Sequence, residues 1–289
     1  MKPAPFEYEC PRSLDEALAQ LARHGDDAKV LAGGQSLVPM LNFRLARPAI
    51  LVDINRVSGL DGRAEKNGTL HIGALVRQRT LERWARDRAP LIATALGHVG
   101  HAAIRNRGTV AGSVVHADPA AELPALLLAL DGAVVARSVR GERLIPAGAL
   151  FQGPLMTSLA ADEVVTETRW SLPAAGDGWG FHEVARRHGD FALVGAVAAV
   201  GLHGGRLERV RIAVFGAGPT PVRTTSAERV LPGRPASSAP FEEAAHAAAR
   251  EIDTHADLHA TAEYRRAVAA TLIVRALVDA AGRATDQAR

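Results

Sequence analysis

The segment Ala32-Gly33-Gly34-Gln35-Ser36-Leu37 follows directly on a short apolar run, and its interpretation decides the fold of the first part of the chain. Adjacent glycines permit backbone angles that other residues avoid, and they leave no side chain between backbone and ligand. Successive N–H groups in such a turn can converge on an anion such as a pyrophosphate. The alternative is that Gly33 and Gly34 merely turn the chain. The spacing matches neither the dinucleotide fingerprint nor the P-loop.

A second segment of small and hydroxyl-bearing residues, RNRGTVAGS over 105–113, repeats this chemistry. It is followed by HADPAAE over 116–122, which places two carboxylates near the start of a predicted helix. Asp118 can cap that helix, whereas Glu122 is either solvated or accepts hydrogen bonds from sugar hydroxyls. Two such loops in one domain favour a long diphosphate ligand that is held from both sides.

A third segment, RRHGDFA over 186–192, stands at the start of the second half of the chain. One interpretation is a basic turn that leads into a strand. The other is that Phe191 or its neighbours cover a flat ring.

Around these segments the sequence predicts alternating strands and helices. Ser13 and Glu16 form a capping box for a helix that ends at Gly25. Buried strands are expected at 29–31, 50–54 and 70–74 and near Val134 and Val164, with helices over 80–86 and 122–130.

The second half is predicted to contain a hairpin and three closing helices. The dipeptide Gly204-Gly205 separates two apolar runs, 191–202 and 207–214, which is typical of a tight hairpin turn. The last helix carries the clearest apolar stripe, formed by Ala267, Ala270, Val274, Leu277, Val278 and Ala281.

Composition excludes several classes of protein. The 289 residues are 47% hydrophobic and 22% charged, with a formal net charge of only +3, so neither disorder nor a concentrated basic face for nucleic acid is expected. Cys10 is the single cysteine, so no thiolate-held iron–sulfur cluster can form from this chain alone. His98 and His101 share a spacing of three residues, but two ligands do not make a metal site. A cytoplasmic protein without a membrane span is expected.

Three ordered motifs resemble those of a known family, the FAD-binding medium subunits of xanthine dehydrogenase and carbon monoxide dehydrogenase type molybdenum hydroxylases. The segments 32–39 and 104–113 are similar to the family's two flavin loops, and 187–192 is similar to its entry into the C-terminal domain. The family's second loop usually reads Thr-Ile-Gly-Gly-Asn, whereas this chain has Ala111 and Ser113 in place of a glycine and the asparagine. The resemblance covers nearly the whole chain.

The resemblance implies an α+β fold in two domains. It predicts a two-lobed FAD-binding domain of the vanillyl-alcohol-oxidase type over 1–176, with lobes of about 1–57 and 58–176. A smaller α+β domain with a three-stranded antiparallel sheet and helices is predicted to follow over 177–289.

The resemblance also implies which residues hold FAD. Attachment is expected to be non-covalent, because the usual covalent anchors, a His or Cys beside the flavin ring, have no evident candidate in the sequence. Backbone N–H groups of 30–37 and 109–113 are expected to bind the pyrophosphate, Glu122 the ribityl or ribose hydroxyls, and Phe191 the region of the isoalloxazine ring. No residue is expected to be catalytic. The expected FAD site comprises Val30, Leu31, Ala32, Gly33, Gly34, Gln35, Ser36, Leu37, Thr109, Val110, Ala111, Gly112, Ser113, Asp118, Glu122, Asp190 and Phe191.

The function that the resemblance implies is electron transfer within a complex. A large subunit would carry the molybdopterin cofactor and a small subunit two [2Fe–2S] clusters, in a dimer of heterotrimers, and the FAD would pass electrons to an external acceptor. Two alternatives stay open: a self-sufficient FAD-dependent reductase of the same fold, and a partner subunit that has lost its flavin.

Overall fold

The computed structural model of the chain describes residues 2–287. Its first part is a three-stranded parallel sheet in the order β1-β3-β2. Leu31 at the end of β2 pairs with Asp53 at the end of β3, so the chain leaves both strands at the same sheet edge. The elements are β1 (Glu7–Glu9), α1 (Leu14–His24), β2 (Ala28–Leu31), α2 (Leu37–Asn42) and β3 (Ile50–Asp53).

The helix α1 begins and ends as its sequence predicts. The Ser13 hydroxyl accepts a hydrogen bond from the Glu16 N–H at 3.2 Å, and the Glu16 carboxylate accepts one from the Ser13 N–H at 3.3 Å. Gly25 follows with a φ of 51°, a conformation that favours glycine. The predicted capping box and helix end are therefore confirmed.

The second part is built around a five-stranded sheet in the order β4-β5-β10-β6-β7, with antiparallel neighbours. The strands predicted at 70–74 and near Val134 and Val164 are β5, β6 and β10 of this sheet. The elements are β4 (Arg63–Lys66), β5 (Thr69–Gly73), α3 (Gln78–Ala85), α4 (Pro90–His98), α5 (Ala102–Arg107), α6 (Val110–His116), α7 (Glu122–Ala129), β6 (Ala133–Ser138), β7 (Gly141–Pro146), α8 (Ala147–Leu150), β8 (Phe151–Gly153), β9 (Met156–Thr157) and β10 (Val164–Ser171).

The third part is an antiparallel sheet in the order β11-β12-β13-β14. Three strands are long, and the fourth, β14, has two residues. Gly204 and Gly205 both adopt positive φ between β12 and β13, so the predicted hairpin is confirmed. The elements are β11 (Gly178–Ala185), β12 (Ala192–His203), β13 (Arg206–Phe215), β14 (Val222–Arg223), α9 (Thr225–Val230), α10 (Ser238–Glu251) and α11 (Ala262–Gln287).

The buried face of α11 differs from the predicted stripe. Ala267 and Val278 of that stripe are exposed, Ala270 and Val274 are half-buried, and only Leu277 and Ala281 are buried. The helix packs so closely on β11 that a side chain at Gly178 or Gly180 would overlap the helix backbone. Ala276, Ala280 and Ala284 lie at this close contact. The whole buried face comprises Ala269, Leu272, Ile273, Ala276, Leu277, Ala280, Ala281 and Ala284.

Candidate functional site

The first loop, residues 32–36, connects β2 to α2. Gly34 has a φ of 74°, which explains one of the two glycines. Within residues 2–287, no hydrogen bond joins the backbone N–H groups of Gly33, Gly34 or Gln35 to a protein acceptor. The Ser36 hydroxyl is also exposed and does not cap α2. The loop thus has three consecutive N–H groups without a protein acceptor, which are available as donors to an anion.

The other glycine, Gly33, is explained by its contact with the second loop, residues 107–109. A Cβ at Gly33 would lie 2.6 Å from the Arg107 carbonyl oxygen, 2.7 Å from Gly108 Cα and 2.9 Å from the Thr109 nitrogen. All three are backbone atoms, so no side-chain rotation could relieve the overlap. The fold therefore brings together the two segments whose small residues predicted a diphosphate site.

The second segment is more helical than its small residues predict. Its first part lies in α5, and Val110, Ala111, Gly112 and Ser113 belong to the first turn of α6. Ala111 is buried and helical, so its Cβ meets no positive-φ strain. The replacement of the family's glycine is therefore compatible with the local fold.

Several N–H groups of this segment already have protein acceptors. The Gly112 N–H donates to the Thr109 hydroxyl at 3.1 Å, the Ser113 N–H to the Thr109 carbonyl, and the Val110 N–H to the Val76 carbonyl. The side chains of Thr109, Val110 and Ala111 are buried. The segment 109–113 consequently offers fewer free donors than expected, which leaves the first loop as the main source.

A cavity of about 330 Å³ opens between the first loop and the edge of the parallel sheet. Arg107 is one of the residues that line it, and its guanidinium carries a positive charge. Its lining residues are Leu31, Ala32, Gly33, Gly34, Gln35, Val38, Pro39, Asp53, Asn55 and Arg107.

A polar network that no sequence motif predicted extends from the lining of this cavity, through Asn55, to Arg77. The Asn55 side-chain amide donates to the Ala32 carbonyl at 2.7 Å, and the Arg77 guanidinium donates to Asn55 Oδ1 at 2.6 Å. Burial and then the charge of Arg107 lower the pKa of Arg77. The sequence contained one indication that Asn55 lies near the first loop, because Asn55 follows a buried strand and Gly33 follows the neighbouring parallel strand. Nothing local in the sequence indicated Arg77.

The expected carboxylates occupy different environments. Asp118 accepts a hydrogen bond from the Ala120 N–H at 2.8 Å, whereas α7 begins at Glu122 with Ala121 as its N-cap. Asp118 therefore stabilises a turn, and the predicted helix cap at this residue is wrong, because the helix starts too far along the chain. Glu122 is buried, and this burial raises its pKa to about 8, with the charges of Glu183 and Asp118 adding to the effect.

The turn over 186–191 contacts the region that carries the second loop. A Cβ at Gly189 would lie 2.7 Å from the His101 ring and 3.1 Å from the Gly100 carbonyl oxygen, and His101 directly precedes α5. Asp190 and Phe191 are exposed, Phe191 by 73%, and neither lines the cavity beside the first loop. The third segment thus contacts the residues that precede α5, and its aromatic ring is exposed.

The raised pKa of Glu122 predicts a pH-dependent stability. The ligand-free folded chain holds this proton up to a pH of about 8, whereas the unfolded chain releases it near 4.5. Stability should therefore fall as the pH rises between these values, by at most about 1.4 kcal/mol per pH unit from this group. We expect Glu122→Gln, which cannot ionise, to show a flatter profile in urea unfolding across this range. Parallel profiles of the two proteins would contradict the assignment.

Neither a cluster of metal-ligating side chains nor a membrane-spanning helix occurs in the described part of the chain. No group of three or more His, Cys, Asp or Glu residues within 2–287 is arranged to hold a metal ion. No helix in the same range is both long enough and apolar enough to cross a bilayer.

Two family descriptions match successive parts of the chain. Residues 4–173 match the FAD binding domain in molybdopterin dehydrogenase. Residues 179–280 match the CO dehydrogenase flavoprotein C-terminal domain.

The chain is also similar to curated proteins and solved structures along its whole length. It is 44% identical to the 6-hydroxypseudooxynicotine dehydrogenase complex subunit alpha of Paenarthrobacter nicotinovorans, over 98% of this chain and 97% of that protein. It is 43% identical to the caffeine dehydrogenase subunit beta of Pseudomonas sp. (strain CBB1), with the same coverage.

The fold of the chain also matches that of a solved structure. The carbon monoxide dehydrogenase of Hydrogenophaga pseudoflava, in a form that lacks the Mo-pyranopterin moiety of its molybdenum cofactor, superposes with a TM-score of 0.95 at 38% identity. The match covers 98% of this chain and 99% of that chain. The expected family and fold class are confirmed. The chain belongs to the FAD-binding medium subunits of the molybdenum hydroxylases, the oxidoreductase family that includes carbon monoxide dehydrogenase and xanthine dehydrogenase.

Proposed function

We propose that this chain binds one FAD non-covalently and transfers electrons within a molybdenum hydroxylase complex. The observation that carries the proposal is the cavity beside the first loop, where free N–H groups of Gly33, Gly34 and Gln35 lie near Arg107. Free donors and a positive charge suit a pyrophosphate, because each phosphate oxygen needs a donor and the group is anionic. The donors present therefore fit FAD.

The remaining parts of FAD are assigned to the other expected residues. Ser36 adds a hydroxyl donor for the phosphates. Asp118 and Glu122 are proposed to bind the sugar hydroxyls, and Asp190 and Phe191 to lie against the isoalloxazine ring. At neutral pH a protonated Glu122 could both donate and accept a hydrogen bond, since its pKa is raised to about 8. When bound, the flavin supplies a centre that takes electrons singly from a cluster and passes them on singly or in pairs.

The other redox centres are proposed to lie in partner subunits. Cys10 alone cannot hold a [2Fe–2S] cluster, so two clusters are assigned to a small subunit and the molybdopterin cofactor to a large one. The relatives named above as subunits of dehydrogenases support this division, and they do not favour a self-sufficient reductase. We propose a dimer of heterotrimers, with domain limits in this chain at 1–176 and 177–289.

The organic substrate is proposed to be a nitrogen heterocycle. The two relatives named above are, by their names, subunits of dehydrogenases of 6-hydroxypseudooxynicotine and of caffeine, which both contain nitrogen heterocycles. The large subunit would select among such compounds, because the molybdenum site lies there. The test is to purify the complex from its host and to measure which heterocycles reduce its flavin.

Non-covalent attachment predicts that acid releases the flavin. Acid precipitation unfolds the chain and so removes every hydrogen bond that holds the cofactor, whereas a covalent bond to the protein would survive. We expect the flavin absorbance in the supernatant after centrifugation, at one FAD per chain. A yellow pellet with a colourless supernatant would contradict the proposal.

A further inference from the structure

We infer that Asn55 and Arg77 form a clamp that positions the first and second loops on FAD. The inference rests on the proposed function, because FAD is the ligand whose binding the clamp would serve. It assigns a positioning role to two residues that lie outside all three sequence motifs.

Asn55 fixes the first loop. Its side-chain amide donates to the Ala32 carbonyl at 2.7 Å and to Asp53 Oδ1 at 2.6 Å, and its backbone N–H donates to the same carboxylate oxygen at 2.9 Å. The other oxygen of Asp53 accepts from the Tyr8 hydroxyl at 2.5 Å. With two acceptors facing its NH₂ group, Asn55 must present Oδ1 to the opposite side.

Arg77 occupies that opposite side and connects it to the second loop. One guanidinium nitrogen donates to Asn55 Oδ1 at 2.6 Å, and the other donates to the Arg107 carbonyl at 2.5 Å. The backbone of the Arg77 segment is already attached to the second loop, since the Gln78 N–H donates to the Gly108 carbonyl. The guanidinium therefore completes a continuous link from Arg107 through Asn55 to Ala32.

The position of this link explains its effect on the ligand site. The Arg107 carbonyl that accepts from Arg77 is the same one that leaves no space for a Cβ at Gly33. The clamp thus acts at the point where the two loops touch, and it sets their spacing. That spacing determines whether the Arg107 side chain and the free N–H groups of the first loop face one ligand together.

The geometry predicts that a positive charge at position 77 does not by itself maintain the link between the two loops. A lysine at position 77 would keep the positive charge, but its single ammonium nitrogen cannot reproduce a planar fork with two donor nitrogens. Arg77→Lys should therefore weaken FAD binding about as much as Arg77→Ala does. Arg83 of α3 is exposed, and Arg83→Ala is the matched control.

The experiment measures FAD affinity by flavin fluorescence quenching on the full chain. We expect Arg77→Ala, Arg77→Lys and Asn55→Ala each to weaken binding at least about tenfold, with wild-type affinity in Arg83→Ala. The double variant Asn55→Ala/Arg77→Ala should bind no more weakly than the worse single variant, because either change breaks the same link. Millimolar methylguanidinium should restore part of the affinity of Arg77→Ala and leave Asn55→Ala unchanged.

Three results would overturn the clamp. Any one of them suffices. The first is wild-type FAD affinity in both Arg77→Ala and Asn55→Ala, and the second is full FAD affinity in Arg77→Lys. The third is additive losses of affinity in the double variant together with no rescue of Arg77→Ala by methylguanidinium. A wild-type chain that binds no FAD would instead refute the proposed function, and the clamp with it. The rescue and the Lys variant separate positioning from a general loss of stability, since unfolding is not reversed by an added guanidinium.

Discussion

Gly33→Val is expected to weaken FAD binding by at least about a hundredfold, which corresponds to about 2.7 kcal/mol. The first added atom, Cβ, would lie within 2.9 Å of three backbone atoms of the second loop. Because backbone atoms cannot rotate aside, the two loops must separate. The Arg107 side chain and the free N–H groups of the first loop would then no longer face the same phosphate groups.

A series of variants makes this prediction specific. Gly33→Ala should already lose most of the affinity, since Cβ itself causes the overlap, and Val should lose more. Gly148→Val is the control, because Gly148 lies exposed in α8 and a Cβ there meets no atom within 4 Å. Equilibrium dialysis against FAD, with circular dichroism to verify folding, measures the effect. Equal FAD content in folded Gly33→Val and Gly148→Val would refute the two-loop site.

The second large effect concerns the chain without its partners. Loaded with FAD, it is expected to oxidise no heterocycle that the complete complex oxidises, so turnover should fall to background. Hydroxylation of a carbon needs a centre that activates water and takes two electrons, and the proposal assigns that centre to the molybdenum subunit. Steady-state assays with an artificial acceptor would measure this difference. Turnover by the lone chain at a rate near that of the complex would favour the self-sufficient reductase.

The sequence predicted features that depend on neighbouring residues. The capping box of Ser13 and Glu16 and the turn at Gly204-Gly205 involve atoms only a few residues apart, so local chemistry determines them. The first loop was likewise recognisable, because two adjacent glycines directly after a strand indicate a turn with an open backbone.

Features that depend on distant contacts were predicted less well. The Asn55–Arg77 pair joins positions 22 residues apart, and no periodicity indicates such a partner. The segment 109–113 was interpreted as a loop because it is rich in small residues, yet Thr109 caps α6 there. The predicted stripe of α11 includes Ala267 and Val278, which are exposed, because the close approach of the helix to the glycines of β11 determines which of its sides faces the sheet. The Asn55–Arg77 pair and the face of α11 depend on tertiary contacts, which override the local preference. The cap of α6 is local, but its small residues are equally typical of a loop.

The most direct test of the central claim is the anaerobic reduction of the flavin by the organic substrate. The lone FAD-loaded chain and the assembled complex are each mixed with the same heterocycle, and the flavin absorbance is followed. The account predicts that the flavin stays oxidised in the lone chain and is reduced in the complex, after the iron–sulfur signals change. Reduction in the lone chain, or an oxidised flavin in a complex whose clusters are reduced, would contradict the assignment of this chain as the electron-transfer subunit.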